Sequence, residues 1–207
     1  MSRTGAGIRY RLRAPGGDAC RPRTFPDATD RDKRHPLSSP PTHVHRLPHS
    51  QTSMDPLNLP SYSLRTAEQD GDRVIYDPVR QTYVRLTPEE WVRQHFVQYL
   101  IQKLDVPAGL VATEATFQYQ GQPWRADIVA HDRRGAPLLL VECKAPSVSI
   151  RQDTFDQGAR YNLVLDAPYL VVTNGQEHYA CRVDLDAQDY AFLDDLPTYG
   201  ELLSRRS

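Results

Sequence analysis

Two apolar stretches, Arg125-Ala-Asp-Ile-Val-Ala-His131 and Leu138-Leu-Leu-Val-Glu-Cys-Lys144, decide the fold of this 207-residue chain. Both have the length and composition of strands, and the short Arg-Arg-Gly-Ala-Pro segment between them predicts a hairpin. Asp127 in the first strand is charged, and so are Glu142 and Lys144 in the second. A charge is costly to bury without a partner. These three ionisable groups mark the hairpin as the candidate functional site.

Alternation along a strand places Glu142 and Lys144 on one face, about 6.7 Å apart, and the hairpin can bring Asp127 opposite them. Two carboxylates at the end of a sheet, with the backbone carbonyl of Cys143 nearby, form an oxygen-only ligand set suited to Mg²⁺ or, as a substitute, Mn²⁺. Such a metal and a lysine together indicate metal-assisted phosphodiester hydrolysis. At this point a structural alternative is open, in which Glu142 and Lys144 form an ion pair at a strand end and Asp127 is an edge residue.

Charge is divided unevenly along the chain. Residues 1–53 hold 10 Lys plus Arg against 4 Asp plus Glu, whereas residues 54–207 hold 15 against 22. An acidic body disfavours tight, unaided DNA binding, so we expect nucleic-acid contact to be local or shared with a partner. The sequence has no run of roughly 18 apolar residues, as a membrane span requires, and no Cys-x-x-Cys pair. We therefore expect a cytoplasmic protein without a membrane segment.

The composition divides the chain into three segments. Residues 1–53 carry seven of the 17 prolines and four of the seven histidines without apolar periodicity, which predicts a disordered basic extension. We expect Met54 to be the native start, which would make this extension no part of the native protein. Residues 54–86 predict a β-ribbon, because Asp70-Gly71 stands between two strand-like runs. Residues 87–204 predict the main domain.

The main domain begins with the longest helical pattern in the chain. Thr87 is the expected N-cap, Pro88 opens the first turn, and Glu90 follows three residues after the threonine, as in a capping box. Three strand-like runs then predict an antiparallel meander, a second helix follows Pro146, and two further strands form a hairpin. Residues 191–203 predict a last helix. The order predicts a mixed α/β domain of the α+β type, with a central mixed sheet flanked by helices.

Several motifs together resemble a known family of nucleases. Ala126-Asp127 followed by Glu142-Cys143-Lys144 resembles the active-site motif of the PD-(D/E)XK superfamily, with alanine in place of its proline. Four further segments resemble the N-terminal nuclease domain of the type I restriction enzyme R subunit and its small stand-alone relatives. They are Leu86-Thr-Pro-Glu-Glu-Trp-Val-Arg-Gln94, Val141-Glu-Cys-Lys-Ala-Pro146, Gln157-Gly-Ala-Arg-Tyr161 and Thr173-Asn174-Gly175. The resemblance covers residues 55–203 and implies a restriction-endonuclease-like core.

The resemblance implies a role for each charged residue of the hairpin. Asp127 and Glu142 would be ligands of Mg²⁺, and Lys144 would be the catalytic lysine of a DNA endonuclease. Glu90 is implied as a further ligand that reaches the metal from the first helix. The alternative for Glu90 is the capping box, in which its carboxylate would bind the backbone N–H of Thr87.

The resemblance also implies supporting residues and partners. Gln157 and Tyr161 match a Gln-x-x-x-Tyr motif and would face the metal or the substrate backbone one helical turn apart, the alternative being ordinary surface and core positions. DNA and other restriction or repair subunits are the implied partners. The sequence has no Gly-x-x-x-x-Gly-Lys-Ser/Thr loop, so we expect the nuclease module without helicase or ATPase domains. A catalytically weak nucleic-acid-binding module and an assembly protein of a restriction or repair complex are the alternatives.

Overall fold

The computed structural model describes residues 54, 56–119, 122–184 and 189–204. The extension predicted over residues 1–53 lies outside this description. So do the side chains of Tyr119, Gln152, Asp153, Asp156, Arg160, Tyr161, Leu163 and Asp189. Among the described residues, no helix combines the length and the hydropathy that a membrane span requires.

A three-stranded antiparallel ribbon comes first in the described chain. It consists of β1 (Thr66–Gln69), β2 (Asp72–Asp77) and β3 (Thr82–Arg85). Asp70 and Gly71 connect the first two strands with φ angles of 53° and 84°. Two positive φ angles are typical of the tight turn that an Asp-Gly pair forms in a two-residue hairpin. The hairpin predicted from this pair is confirmed.

The first helix, α1 (Pro88–Gln102), begins where the sequence predicts. The Thr87 hydroxyl accepts a hydrogen bond from the Glu90 N–H at 3.0 Å, so the threonine is the N-cap. The helix ends at Gln102. Its buried apolar side chains, which recur at helical spacing, are Val92, Phe96, Val97, Tyr99 and Leu100.

Six strands of the described chain form the central sheet. They are β4 (Val111–Tyr119), β5 (Gln122–His131), β6 (Pro137–Cys143), β7 (Tyr169–Thr173), β8 (His178–Asp184) and β9 (Asp189–Phe192), in this spatial order. All neighbours are antiparallel except β6 and β7, whose parallel pairing requires a crossover. The second helix, α2 (Gln152–Leu165), supplies it. The predicted fold class, a mixed α+β domain with an antiparallel meander in a mixed sheet, is confirmed.

Each face of the central sheet is covered by a hydrophobic cluster, and the side chains of the central strands alternate between the two clusters. Leu139, Val141 and Val171 belong to the hydrophobic cluster that contains α1. Leu140 and Leu170, which alternate with them, belong to the cluster that contains the buried side chains of α2. Strands covered on both faces are apolar over most of their length.

The helix predicted over residues 191–203 is wrong in its first part. Phe192 pairs with Cys181 of β8, so this stretch begins as the edge strand β9. The Phe192 ring also packs edge-on against Phe155 of α2, with 5.7 Å between ring centroids. Pro197 disfavours helical geometry in the residue before it. The third helix, α3 (Tyr199–Ser204), therefore forms only after the proline.

A buried histidine joins the segment before the ribbon to the loop after β7. The Asn58 N–H donates to the Gly175 carbonyl at 2.7 Å, and the Asn58 carbonyl accepts from Nε2 of His178 at 2.8 Å. Because Nε2 donates, Nδ1 of the neutral imidazole accepts from the Thr173 hydroxyl, 2.7 Å away. The Gly175 N–H donates to the same hydroxyl oxygen at 3.0 Å. We call Asn58, Thr173, Gly175 and His178 the His178 cluster.

Candidate active site

The charged residues of the hairpin line one open groove of about 520 Å³. It lies beyond the Ile128–Val141 pair, where β5 and β6 separate, and is also lined by residues of the first turn of α1 and of α2. Its lining residues are Glu89, Pro123, Trp124, Arg125, Asp127, Glu142, Lys144 and Gln157. The fold thus brings together Asp127, Glu142 and Lys144, the three residues that the hairpin sequence singles out.

Asp127 is held at the point where β5 and β6 separate. Ile128 pairs with Val141, and beyond this pair the Cys143 N–H donates to Oδ2 of Asp127 at 2.7 Å. Arg93 of α1 donates to Oδ1 of the same carboxylate at 2.8 Å. Because both oxygens are hydrogen-bonded to different elements, the carboxylate has one defined orientation.

Lys144 connects the end of β6 to α2. Its Nζ donates to Oε1 of Glu142 at 2.8 Å and to Oε1 of Gln157 at 3.2 Å. Its backbone N–H donates to the Thr173 carbonyl at 2.8 Å, which anchors the residue to β7. Glu142 and Lys144 lie on one face as predicted, and they do form an ion pair. The pair is located inside the groove, so it is compatible with a catalytic role.

The carboxylates that line the groove repel one another when they are ionised. Burial, followed by the neighbouring carboxylate of Asp127, raises the pKa of Glu142 to about 7 although Lys144 acts in the opposite direction. Burial also raises the pKa of Glu89, and Asp127 adds to this effect. Burial lowers the pKa of Lys144, but its hydrogen bond to Glu142 and the nearby carboxylates outweigh burial, so its pKa is raised. A cation in the groove would relieve the repulsion.

The first turn of α1 presents Glu89 to the groove rather than Glu90. The carboxylate of Glu90 is buried, where it accepts a hydrogen bond from Nε2 of Gln94 at 2.8 Å and another from Arg93. These contacts differ from both predicted ones, the metal site and the Thr87 N–H. The role of Glu90 as a metal ligand stays a prediction, which this geometry disfavours. Sequence reasoning missed Glu89, because consecutive helix residues point about 100° apart and only the docking of α1 decides which one faces the groove.

The Gln-x-x-x-Tyr motif lies on α2, the helix that covers the groove. Its glutamine, Gln157, lines the groove and accepts a hydrogen bond from Lys144, and its implied supporting role stays a prediction. The side chain of Tyr161 lies outside the described side chains, so the role of Tyr161 stays a prediction.

Sequence reasoning also missed Arg93, which exposes only 4% of its side chain. The available signal was its spacing to Glu89 and Glu90, four and three residues earlier on the helix. Such pairs usually lie on a helix surface and stabilise it weakly. The contact with Asp127, 34 residues away, comes only from the tertiary structure.

The donor chemistry of the groove fits a hard divalent cation. Glu89, Asp127 and Glu142 offer only oxygen atoms, which Mg²⁺ prefers, and their mutual repulsion favours a cation. As they stand, no three His, Cys, Asp or Glu side chains in the described part of the chain are arranged to hold a metal ion. Instead, Asp127 pairs with Arg93, and Glu142 pairs with Lys144. Metal binding would therefore require these side chains to shift.

Comparisons with known proteins point to one family. A family model described as type I restriction enzyme R protein N terminus matches residues 88–197. Among solved structures, the chain is similar to a fragment described as an HsdR subunit of a type I restriction enzyme from Vibrio vulnificus YJ016, with 21% identity and a TM-score of 0.45. This similarity covers 58% of the chain and 25% of the fragment, so the matched part spans about a quarter of the fragment's length. No curated protein sequence matches the chain.

Proposed function

Because the chain belongs to the family of type I restriction enzyme R protein N termini, we propose that it is a Mg²⁺-dependent endonuclease that hydrolyses phosphodiester bonds of DNA. The observation that carries this proposal is the convergence of Asp127, Glu142 and Lys144 in one groove. Two carboxylates and a lysine at a strand end supply the charges that phosphodiester hydrolysis needs.

The carboxylates are the proposed metal ligands. Asp127 and Glu142 would hold Mg²⁺, or Mn²⁺ in its place, and the backbone carbonyl of Cys143 would complete the set from β6. Glu89, which lines the groove, takes the place from the first helix that the sequence suggested for Glu90. A metal bound there would polarise a phosphoryl oxygen and lower the pKa of a bound water.

Lys144 is the proposed catalytic lysine. Its ammonium group lies inside the groove, where Glu142 and Gln157 orient it. Because its pKa is raised, it stays protonated at neutral pH and acts as a positive charge rather than as a base. In that form it would donate a charge-assisted hydrogen bond to a phosphoryl oxygen and stabilise the negative charge that develops during hydrolysis.

DNA would reach these groups from the open side of the groove. Arg125 exposes 60% of its side chain at this opening and pairs with Glu114 at 2.6 Å. An exposed guanidinium at the rim is suited to contact the phosphate backbone, which positions DNA without selecting its sequence. We propose DNA and other restriction subunits as partners.

A second candidate is a nucleic-acid-binding or assembly module that has little catalytic activity. The pairing of Asp127 with Arg93 and of Glu142 with Lys144 favours it, because both carboxylates are neutralised without a metal. The acidic body of the chain also disfavours strong DNA binding by this module alone.

Cleavage of supercoiled plasmid separates the two candidates. The purified chain is incubated with plasmid and Mg²⁺ or Mn²⁺, with EDTA as a control, and nicked product is quantified on gels. We expect Lys144→Ala to nick at least roughly 100-fold more slowly than the wild type. Lys103→Ala is the matched control, because Lys103 lies at the exposed end of α1 and should leave the rate unchanged. Equal nicking by the wild type and Lys144→Ala would contradict the endonuclease proposal.

A further inference from the structure

One buried guanidinium contacts four carboxylates beside the groove. Nη2 of Arg93 lies 2.8 Å from Oδ1 of Asp127 and 3.1 Å from Oε1 of Glu89. Nη1 lies 2.8 Å from Oε1 of Glu114 and also binds Glu90. The four carboxylates come from α1, β4 and β5, so Arg93 connects the helix to both strands.

The arrangement of Nη2 has a specific consequence for the groove. Glu89 and Asp127 are proposed metal ligands that come from different elements, and the same nitrogen donates to both. Because a guanidinium is planar and its donors have fixed directions, Nη2 sets the spacing and the orientation of these two carboxylates. A lysine ammonium would retain the charge without this fixed geometry.

The surroundings of Arg93 are unfavourable for stability alone. Among the described residues, its buried Nε has no hydrogen-bond partner. Glu114 lies between Thr113 and Ala115, which pair with Ile128 and Ala126 of β5, and has a φ of 54°, a left-handed conformation within a strand. Unpaired buried donors and strained backbone are typical of functional sites. The unpaired donor belongs to Arg93 itself, and the strained residue Glu114 is one of its carboxylate partners.

We propose that Arg93 is a positioning residue, whose guanidinium holds Asp127 and Glu89 side by side at the groove, from where the two carboxylates shift to bind the metal. This inference rests on the proposed function, because the metal site is that of the proposed nuclease. Arg93 acts through the two carboxylates and does not contact the substrate.

Arg80 provides a matched comparison within the same network of charges. Its guanidinium lies 3.6 Å from Oε1 of Glu90 and 4.0 Å from Oε2 of Glu114, which are also partners of Arg93. The ion pair with Asp127 is made by Arg93. Replacing each arginine by lysine keeps the charge and therefore separates the contact with Asp127 from the other contacts of the network.

The test is direct binding of Mn²⁺ to the full chain, measured by calorimetry and by the electron paramagnetic resonance of free Mn²⁺. Thermal melting followed by circular dichroism reports folding. We expect folded Arg93→Lys to bind Mn²⁺ at least ~10-fold more weakly than the wild type, as is typical when a residue that orients a ligand is replaced. Arg80→Lys should keep the wild-type affinity, and Asp127→Asn should abolish binding.

Two results would overturn the role of Arg93 while the metal site stands. They are wild-type affinity in folded Arg93→Lys, and equal weakening in Arg80→Lys, which would assign the effect to the network as a whole rather than to the contact with Asp127. If Arg93→Lys does not fold, the double variant Glu90→Gln/Arg93→Gln, which removes one charge of each sign, replaces it under the same criteria. Absence of Mn²⁺ binding by the wild type would overturn the proposed metal site and the role of Arg93 together.

Discussion

The groove and the His178 cluster lie at neighbouring strand ends but arrange their polar groups in opposite ways. The two regions adjoin where the Lys144 N–H donates to the Thr173 carbonyl. In the His178 cluster, donors and acceptors alternate around a neutral imidazole. In the groove, the buried carboxylates of Asp127 and Glu142 face each other.

The pKa values express this difference. Burial lowers the pKa of His178 to about 4, so the imidazole is neutral at pH 7 and its hydrogen bonds stabilise the fold. Burial and Asp127 raise the pKa of Glu142 to about 7, so ionisation of Glu142 opposes folding. The fold therefore keeps the carboxylates of the groove close together although they repel each other when ionised. Such an arrangement is typical of sites that serve a function rather than stability.

The largest expected effect is on cleavage by Glu142→Gln. An amide is a poor replacement for an anionic metal ligand, so we expect plasmid nicking in Mg²⁺ to fall roughly 100- to 1,000-fold. His178→Gln, in the other region, should keep the wild-type rate at a temperature where it is fully folded. The functional contrast between the two regions fails if both variants lose cleavage to the same extent.

The next effect is the pH dependence of stability caused by His178. Its folded-state pKa of about 4 lies below its ordinary value of about 6.5, so the unfolded chain binds protons more readily. The stabilisation is complete above about pH 6.5 and is lost as the pH falls through 4, for a total of about 3 kcal/mol. Urea unfolding of the wild type and His178→Gln measures it. As the pH falls, we expect the free energy of unfolding to decrease less in His178→Gln than in the wild type. Parallel pH profiles of the two proteins would refute the role of His178.

A smaller effect is expected from Gly175→Ala, which tests the packing of the His178 cluster. An added Cβ would lie 2.8 Å from Leu57 and 3.0 Å from Val92, and the φ of Gly175 is +83°. We expect the free energy of unfolding to fall by about 2 kcal/mol, measured by urea denaturation. Gly109→Ala, where the new Cβ meets nothing within 4 Å, is the control and should be close to neutral. Similar losses in both variants would argue against tight packing at Gly175.

The smallest effect is a gain in stability from Glu142→Gln. The folded-state pKa of Glu142 is raised, so its contribution to stability is fully present below about pH 4.5 and is lost as the pH rises through 7. The full shift corresponds to about 3 kcal/mol, but the loss of the charged partner of Lys144 offsets part of it. In EDTA at pH 8, we therefore expect the variant to unfold with a free energy about 1 kcal/mol higher than the wild type. The advantage should disappear at pH 5. A variant that is less stable at pH 8 would show that the Lys144 ion pair outweighs the repulsion from Asp127.

Part of the candidate site could be predicted from the sequence, because strands have a simple period. Alternation placed Glu142 and Lys144 on one face, and the short hairpin connection brought Asp127 beside them. For Gln157, the resemblance of its motif implied a position facing the metal or the substrate backbone, whereas its contact with Lys144 came only from the structure. Glu89 and Arg93 could not be predicted, because a helical sequence shows which face is apolar but not which polar residue meets a distant strand.

By itself, the sequence determined the hairpin, the Asp70-Gly71 turn and the Thr87 N-cap, because these depend on conformational preferences that act over a few residues. Only the tertiary structure decided that residues 189–192 form an edge strand and that Arg93 reaches Asp127. Both outcomes depend on contacts between residues far apart in the chain, and such contacts override local propensity.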